Sequence, residues 1–227
     1  MMNYMNRLIS PRTPAQVKYL QVLKDYSKPL VVASGPAGTG KTLFACQDAI
    51  ERLSRKQIDR VVLTRPVVAV DEELGFLPGG IEMKMDPWTR PMFDIMQNYY
   101  SDRKISQMIE NRTIEISPLG YMRGRTFDNC YVVADEMQNS TMNQMKMLMT
   151  RMGDNSRMVV TGDVDQCDLR NTLSGLADFI HRIDKVDLQH IEHVILDVDD
   201  VQRHKVVKEI LDIYKSKNVI PDNIFNR

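Results

Sequence analysis

The stretch Gly35-Pro36-Ala37-Gly38-Thr39-Gly40-Lys41-Thr42 limits the possible folds more than any other part of the chain. It follows the apolar run Leu30-Val31-Val32-Ala33 and precedes Leu43-Phe44-Ala45-Cys46, so a buried strand has to turn sharply into a helix there. The spacing G-x-x-x-x-G-K-[ST] aims successive backbone N–H groups and the helix N-terminus at one point, forming a cradle for the phosphates of a nucleotide. Gly38 and Gly40 supply backbone conformations that a side chain would obstruct. Lys41 can reach the β and γ oxygens, and the Thr42 hydroxyl can ligate Mg²⁺.

Composition narrows the partners. At 227 residues the chain fits one α/β domain and leaves no room for a second of usual size. Lys+Arg and Asp+Glu both number 30, so no net basic charge favours nucleic acid, and such a contact must come from a local patch. Cys46, Cys130 and Cys167 are scattered without a C-x-x-C pair, as in buried thiols of a reduced cytosolic protein rather than a disulfide frame or zinc site. No apolar run approaches the roughly 20 residues of a membrane span, and no signal-peptide core is present. A soluble, cytoplasmic protein with no membrane partner is expected.

Residues 1–28 form an N-terminal segment in which Thr13-Pro14 and the spacing of Val17, Leu20 and Leu23 predict an amphipathic helix. That helix carries Gln16. An amide offers a donor and an acceptor together, matching the N6/N7 edge of adenine, so Gln16 either selects ATP or is an ordinary solvated helix residue. After a helix from Lys41 to about Leu53, residues 59–66 read as a second buried strand that delivers Arg65 to the carboxyl edge of the sheet, where ligands lie. Residues 67–80 form a long loop of the kind that is usually functional. Helical periodicity returns over 86–111, opening near Pro87, with Trp88, Met92, Ile95, Met96, Tyr99 and Tyr100 on one face. Core packing accounts for that stripe, and base stacking is the other reading. Beyond a short strand at 113–116, residues 118–127 set Arg123 and Arg125 beside glycines and Tyr121. That turn either grips phosphates and stacks a base or is simply solvated.

Cys130-Tyr131-Val132-Val133-Ala134-Asp135-Glu136 is an apolar strand ending in two acids, where packing favours none. Beside a phosphate cradle Asp135 would hold Mg²⁺ and Glu136 would polarise the attacking water; otherwise the strand stops at charged turn residues. A helix is expected over 140–152, burying Met142, Met145, Met149 and Met152. The run 156–163 is a further strand ending in Thr161-Gly162-Asp163, and Gln166 beyond it offers an amide that could sense a γ-phosphate. A helix near 173–183, a strand at 191–196 and a last helix over 201–215 follow. Arg203, at the opening of that helix, is either a transition-state arginine or a surface salt-bridge partner. Residues 217–227 are a polar tail.

In order, Gln16, the cradle, Thr64-Arg65-Pro66, Asp135-Glu136-x-Gln138, Thr161-Gly162-Asp163-x-x-Gln166 and Arg203 follow the ATPase core of superfamily 1 helicases. A closer resemblance is to the PhoH family of phosphate-starvation-inducible ATPases. It rests on Leu74-Gly75-Phe76-Leu77-Pro78-Gly79, Asp86-Pro87-x-x-Arg90-Pro91, Tyr121-Met122-Arg123-Gly124-Arg125-Thr126, Asp135-Glu136-Met137-Gln138-Asn139 and Arg203-His204. The resemblance implies an α/β fold, a RecA-like P-loop NTPase domain over 29–216 with a mostly parallel sheet flanked by helices. It also implies ATP and Mg²⁺ as cofactors, ATP hydrolysis and a link to single-stranded RNA. Under it Gln16 joins Gly35, Pro36, Ala37, Gly38, Thr39, Gly40, Lys41 and Thr42 in binding ATP. Thr42 and Asp135 hold the metal, and Lys41, Glu136, Gln166 and Arg203 act in catalysis. Arg65, Tyr121, Arg123 and Arg125 are the candidate RNA contacts.

Some relatives carry a PIN ribonuclease or RNA-binding module, for which this length leaves no room, and the helicase comparison implies two RecA-like domains where one is encoded. Arg203 therefore reaches its own site or a neighbour's. The second option predicts a head-to-tail homo-oligomer, hexameric by resemblance, because heterologous contacts close into rings when the rotation permits. The competing expectation is a nucleotide-gated oligomeric scaffold without motor activity, and the intact Asp135-Glu136 pair argues against it. A small-molecule kinase would need a lid with arginines beyond Arg123 and Arg125, and a ribonuclease would need a separate cluster of acids.

Overall fold

In a computed structural model of the chain, the described residues are 8–66, 81–169, 172–202, 206–207, 209–210 and 213, with the backbone alone described for 81–88. Among the described residues there are six strands: β1 Leu30–Ser34, β2 Arg60–Thr64, β3 Ile114–Ile116, β4 Cys130–Ala134, β5 Arg157–Gly162 and β6 Ile191–Ile195. They make one parallel sheet in the order β3-β2-β4-β5-β1-β6. Side chains alternate along a strand, so each strand feeds two faces. Val31, Ala33, Tyr131, Val133 and Val159 pack beneath α1 (Pro14–Lys24), α2 (Lys41–Ser54), α3 (Ile81–Gln97) and α4 (Asp102–Glu110). Leu30, Val32, Val132, Ala134, Met158 and Val160 pack beneath α5 (Met142–Met149), α6 (Gly175–Ile183) and a 3₁₀ turn at Leu119–Met122. Burial on both faces is why these strands read as continuous apolar runs. The arrangement is the expected RecA-like P-loop NTPase fold.

The position of β5 matters most for function. It lies between β1, which leads into the cradle, and β4, which ends in the acid pair. The carboxyl end of β5 therefore forms the floor between them.

Element boundaries depart from expectation in three places. The helix read over 86–111 is two helices. Ser101 accepts a hydrogen bond from the Lys104 N–H and starts α4 afresh, while α3 begins at Ile81, so Pro87 falls inside it rather than opening it. Met92 and Met96, both fully buried, hold α3 on the core despite the donors its prolines lack. The helix expected over 140–152 is shorter, opened by a Thr141–Gln144 capping box and ended at Met149; Met142 on its first turn is exposed. Residues 201 and 202 are not helical, and a 3₁₀ turn at Val198–Asp200 precedes them; positions 206, 207, 209, 210 and 213 are helical. The loop 67–80, the Trp88 side chain, Arg203 and the tail 217–227 lie outside the described residues.

No helix among the described residues is long and apolar enough to cross a membrane. The three cysteines are free, and burial pushes the thiols of Cys46 and Cys130 up, which leaves them unreactive.

Candidate active site

The cradle hangs between two neighbouring strands. Gly35 N–H donates to the Gly162 carbonyl at 3.2 Å, and Leu196 N–H donates to the Ser34 carbonyl at 2.8 Å. Gly35 has φ +141°, and a Cβ there would lie 2.0 Å from the Leu196 carbonyl oxygen, so the approach requires glycine. Gly40, at φ +92°, opens α2. Lys41 folds across its own loop, its Nζ donating to the Gly35 and Pro36 carbonyl oxygens at 2.6 and 2.7 Å.

Around this loop lies a cleft of about 330 Å³, lined by Lys41, Thr42, Asp135, Glu136 and Gln166, and also by Arg65 and the α3 residue Ile95. That volume is in the roughly 300–1,000 Å³ range of small-molecule sites. Asp135 is buried, and its Oδ1 accepts from the Thr42 hydroxyl at 2.8 Å and from the Thr161 hydroxyl. Thr161 stands on β5, so the strand order alone brings it between cradle and acid. Among the described residues no group of three or more His, Cys, Asp or Glu is disposed to hold a metal. The Thr42 hydroxyl and Asp135 carboxylate are nevertheless the hard oxygen donors that Mg²⁺ takes, with water and substrate oxygens completing its shell.

Glu136 adopts φ +53°, ψ +36°, a left-handed conformation that costs a non-glycine residue roughly 1–3 kcal/mol and persists only where surroundings impose it. Those surroundings are visible. Gln138 Nε2 donates to Glu136 Oε2 at 2.5 Å, and Arg65 Nη2 lies 3.5 Å from Glu136 Oε1. Gln138 is buried, accepts from Asp163 N–H at 3.1 Å through Oε1, and reaches the Gln166 carbonyl at 3.4 Å. Gln166 in turn donates to Asp163 Oδ2 at 2.5 Å. Gln138 thus connects the acid pair to Gln166, a role that sequence reasoning missed; the available signal was an amide two residues past the acids. A Cβ on Gly162 would fall 2.6 Å from Gln138 Oε1, which explains a glycine at that strand end.

Gln16 is buried rather than solvated, at 2 % exposure. Its Nε2 donates to the Thr39 carbonyl at 3.1 Å and the Asp200 carbonyl at 3.3 Å, while its Oε1 accepts from Arg12 N–H at 2.7 Å. The amide fastens α1 to the cradle and to the turn that precedes position 203. Gln202 N–H adds a bond to the Gly38 carbonyl at 3.0 Å.

The four candidate RNA contacts separate. Arg65 lines the cleft, whereas Tyr121, 64 % exposed, and Arg123 lie on the surface of the turn after β3. Arg125 stacks over the Phe127 ring at 4.8 Å and pairs with Glu115, which also meets Arg60 at 3.2 Å. Burial pushes the Glu115 carboxyl up, but the Arg125 hydrogen bond and the charges of Arg125, Arg60 and Arg112 outweigh it, leaving the group below its ordinary value. A depressed folded-state pKa stabilises above the unfolded value and ceases to as pH falls through the folded one. Glu115→Gln is therefore expected to lower Tm at pH 7 by roughly 2–4 °C, about 1 kcal/mol. That gap should close as pH falls below about 4 in parallel thermal melts; a gap unchanged at pH 3 would sink the assignment.

Ser34 Oγ lies 2.8 Å from His193 Nε2, and His193 Nδ1 lies 3.0 Å from Asp184 Oδ1. The spacing is that of a hydrolytic triad, but Ser34 is buried at the end of β1 and offers no face to an acyl substrate. The relay anchors the strand that enters the cradle to β6 and to the end of α6.

A family model described as PhoH, PhoH-like protein, matches residues 8–215. A PhoH-like protein of Mycobacterium bovis is 41% identical over 212 residues, covering 92% of this chain and 58% of that protein. One of Bacillus subtilis is 42% identical over 217 residues, covering 95% of this chain and 67% of that protein. The chain thus spans 58% to 67% of the length of these relatives. Among solved structures, the large terminase from a thermophilic bacteriophage superposes with a TM-score of 0.56 at 12% identity, over 89% of this chain and 50% of that one. At that identity the likeness concerns the fold.

Proposed function

The chain belongs to the PhoH-like family, and from that premise we propose that it is a cytoplasmic Mg²⁺-dependent ATPase whose hydrolysis is coupled to binding or remodelling single-stranded RNA. The observation that carries this reading is the convergence of Thr42 and Asp135 at 2.8 Å, with Glu136 held in a left-handed backbone beside them. Lys41 exchanges the Gly35 and Pro36 carbonyl oxygens for β and γ oxygens of the nucleotide. Thr42 and Asp135 would hold Mg²⁺, which would supply positive charge to offset that of the phosphates. Glu136 takes a proton from water as its oxygen attacks the γ-phosphorus, and the bond to the β–γ bridging oxygen breaks towards ADP. Gln166, tied to Glu136 through Gln138, reports whether the γ-phosphate is present.

Tyr121 and Arg123, an exposed aromatic beside an exposed guanidinium, suit stacking on a base and contact with its phosphate. Arg203 acts across a head-to-tail homo-oligomer, a hexameric ring being the closed form. The deciding experiment is steady-state ATP hydrolysis with and without single-stranded RNA or DNA at low and moderate salt. RNA stimulation that fades as salt rises is the expected outcome, because phosphate contacts release counterions. Hydrolysis indifferent to both polymers would instead favour the nucleotide-gated scaffold.

A further inference from the structure

We propose that Arg65 is a catalytic residue acting in its own subunit, exchanging a resting ion pair with Glu136 for the γ-phosphoryl oxygens. The inference rests on the ATPase reading. Register places Arg65 there: Thr64 is paired with Ala134, and Asp135 N–H donates to the Thr64 carbonyl at 3.0 Å, so Arg65 emerges directly across from the acid pair. Among the described residues three carboxylates line the cleft, Asp135, Glu136 and Asp163, and the cations lining it are Lys41 and Arg65. Lys41 is bonded to its own loop at the end of β1, whereas Arg65 follows β2, with β4 and β5 between the two strands.

The resting pair is built to exchange. At 3.5 Å, with Nη2 against Oε1, it is longer than a bidentate arginine–carboxylate fork, and the partners stay partly open to water. Glu136 keeps a second anchor when this pair opens, since Gln138 holds Oε2 at 2.5 Å. When a triphosphate enters, its γ oxygens present more negative charge to the guanidinium than one carboxylate does. Arg65 moves onto them, and Oε1 of Glu136 becomes open to the proton of the attacking water. As the water oxygen bonds to phosphorus and the bridging P–O bond breaks, charge developing on the γ oxygens falls against Arg65. The water proton resides on Glu136, and the electron pair of the broken bond leaves with ADP.

The test compares full-length wild type with Arg65→Ala and Arg65→Lys. Turnover is measured together with binding of fluorescent ADP, alone and with aluminium fluoride, which mimics the γ-phosphoryl group in flight. Arg65→Ala is expected to lose roughly 10²–10³ in turnover. It should bind ADP alone within about threefold of wild type and lose most of the tightening that aluminium fluoride gives wild type. Arg65→Lys, with the charge but not the fork, should recover part of both. Mixing Arg65→Ala with Lys41→Ala should restore nothing, because each site uses its own arginine. Unchanged or faster turnover in Arg65→Ala, retained tightening, or recovery on mixing each overturns the proposal. A wild type that binds ADP and tightens with aluminium fluoride through Arg65 yet never hydrolyses ATP fails the ATPase reading alone.

Discussion

Glu136→Gln is expected to slow ATP turnover by roughly 10²–10⁴-fold while ATP stays bound. The substitution keeps the shape of the side chain and one oxygen that can accept from Gln138 Nε2, so the hydrogen bond that holds the residue can survive. The side chain is also partly open to water, which accommodates the new amide hydrogens beside Arg65. What disappears is the carboxylate that takes the proton from water. Rapid-quench measurement of a single turnover, with filter retention of radiolabelled ATP, separates the two effects: cleavage should nearly stop and retention should persist. Hydrolysis at the wild-type rate would mean that another group is the base.

Lys41→Ala is expected to abolish turnover, by about a thousandfold or more, and to weaken nucleotide binding as well, since this ammonium is the cation bonded to the loop. Its loss has a second consequence in the absence of nucleotide. Lys41 donates to two half-buried carbonyl oxygens of its own loop, Gly35 and Pro36; the Thr39 hydroxyl still donates to Pro36, so the loss falls mainly on Gly35 and costs roughly 0.5–1.5 kcal/mol. Calorimetric titration with ADP should show weakened binding, and a thermal melt of the nucleotide-free protein should show a lower Tm. Near-normal turnover would remove Lys41 from the reaction altogether.

The sheet was legible in the sequence because strands buried on both faces write themselves as unbroken apolar runs, as in Leu30-Val31-Val32-Ala33 and Cys130-Tyr131-Val132-Val133-Ala134. The cradle and the acid pair were legible for the opposite reason: glycines and charges stand where packing has no use for them. The order of the strands was not, because parallel neighbours are joined by long crossovers that local pattern does not encode. Thr161 therefore carried no signal as a partner of Asp135 until β5 was seen to lie between β1 and β4. For the same reason Arg65 read as a candidate RNA contact, and only the pairing of β2 with β4 brings it to Glu136. Ser101 had the residue type of a helix cap, but the apolar stripe running past it masked the break.

The Gln16 amide bonds to Thr39 and to Asp200, groups that lie 23 and 184 positions from it along the chain. On the ribosome the phosphate cradle therefore emerges before the groups that seat it. β6, which pairs with β1, and the turn that meets Gln16 leave the exit tunnel only well after the cradle does. Contacts of such long sequence separation form late and slowly. Until they do, a nascent chain carries every residue of its phosphate cradle without the clamp that seats it, so nucleotide capture follows synthesis of residue 200 rather than guiding it.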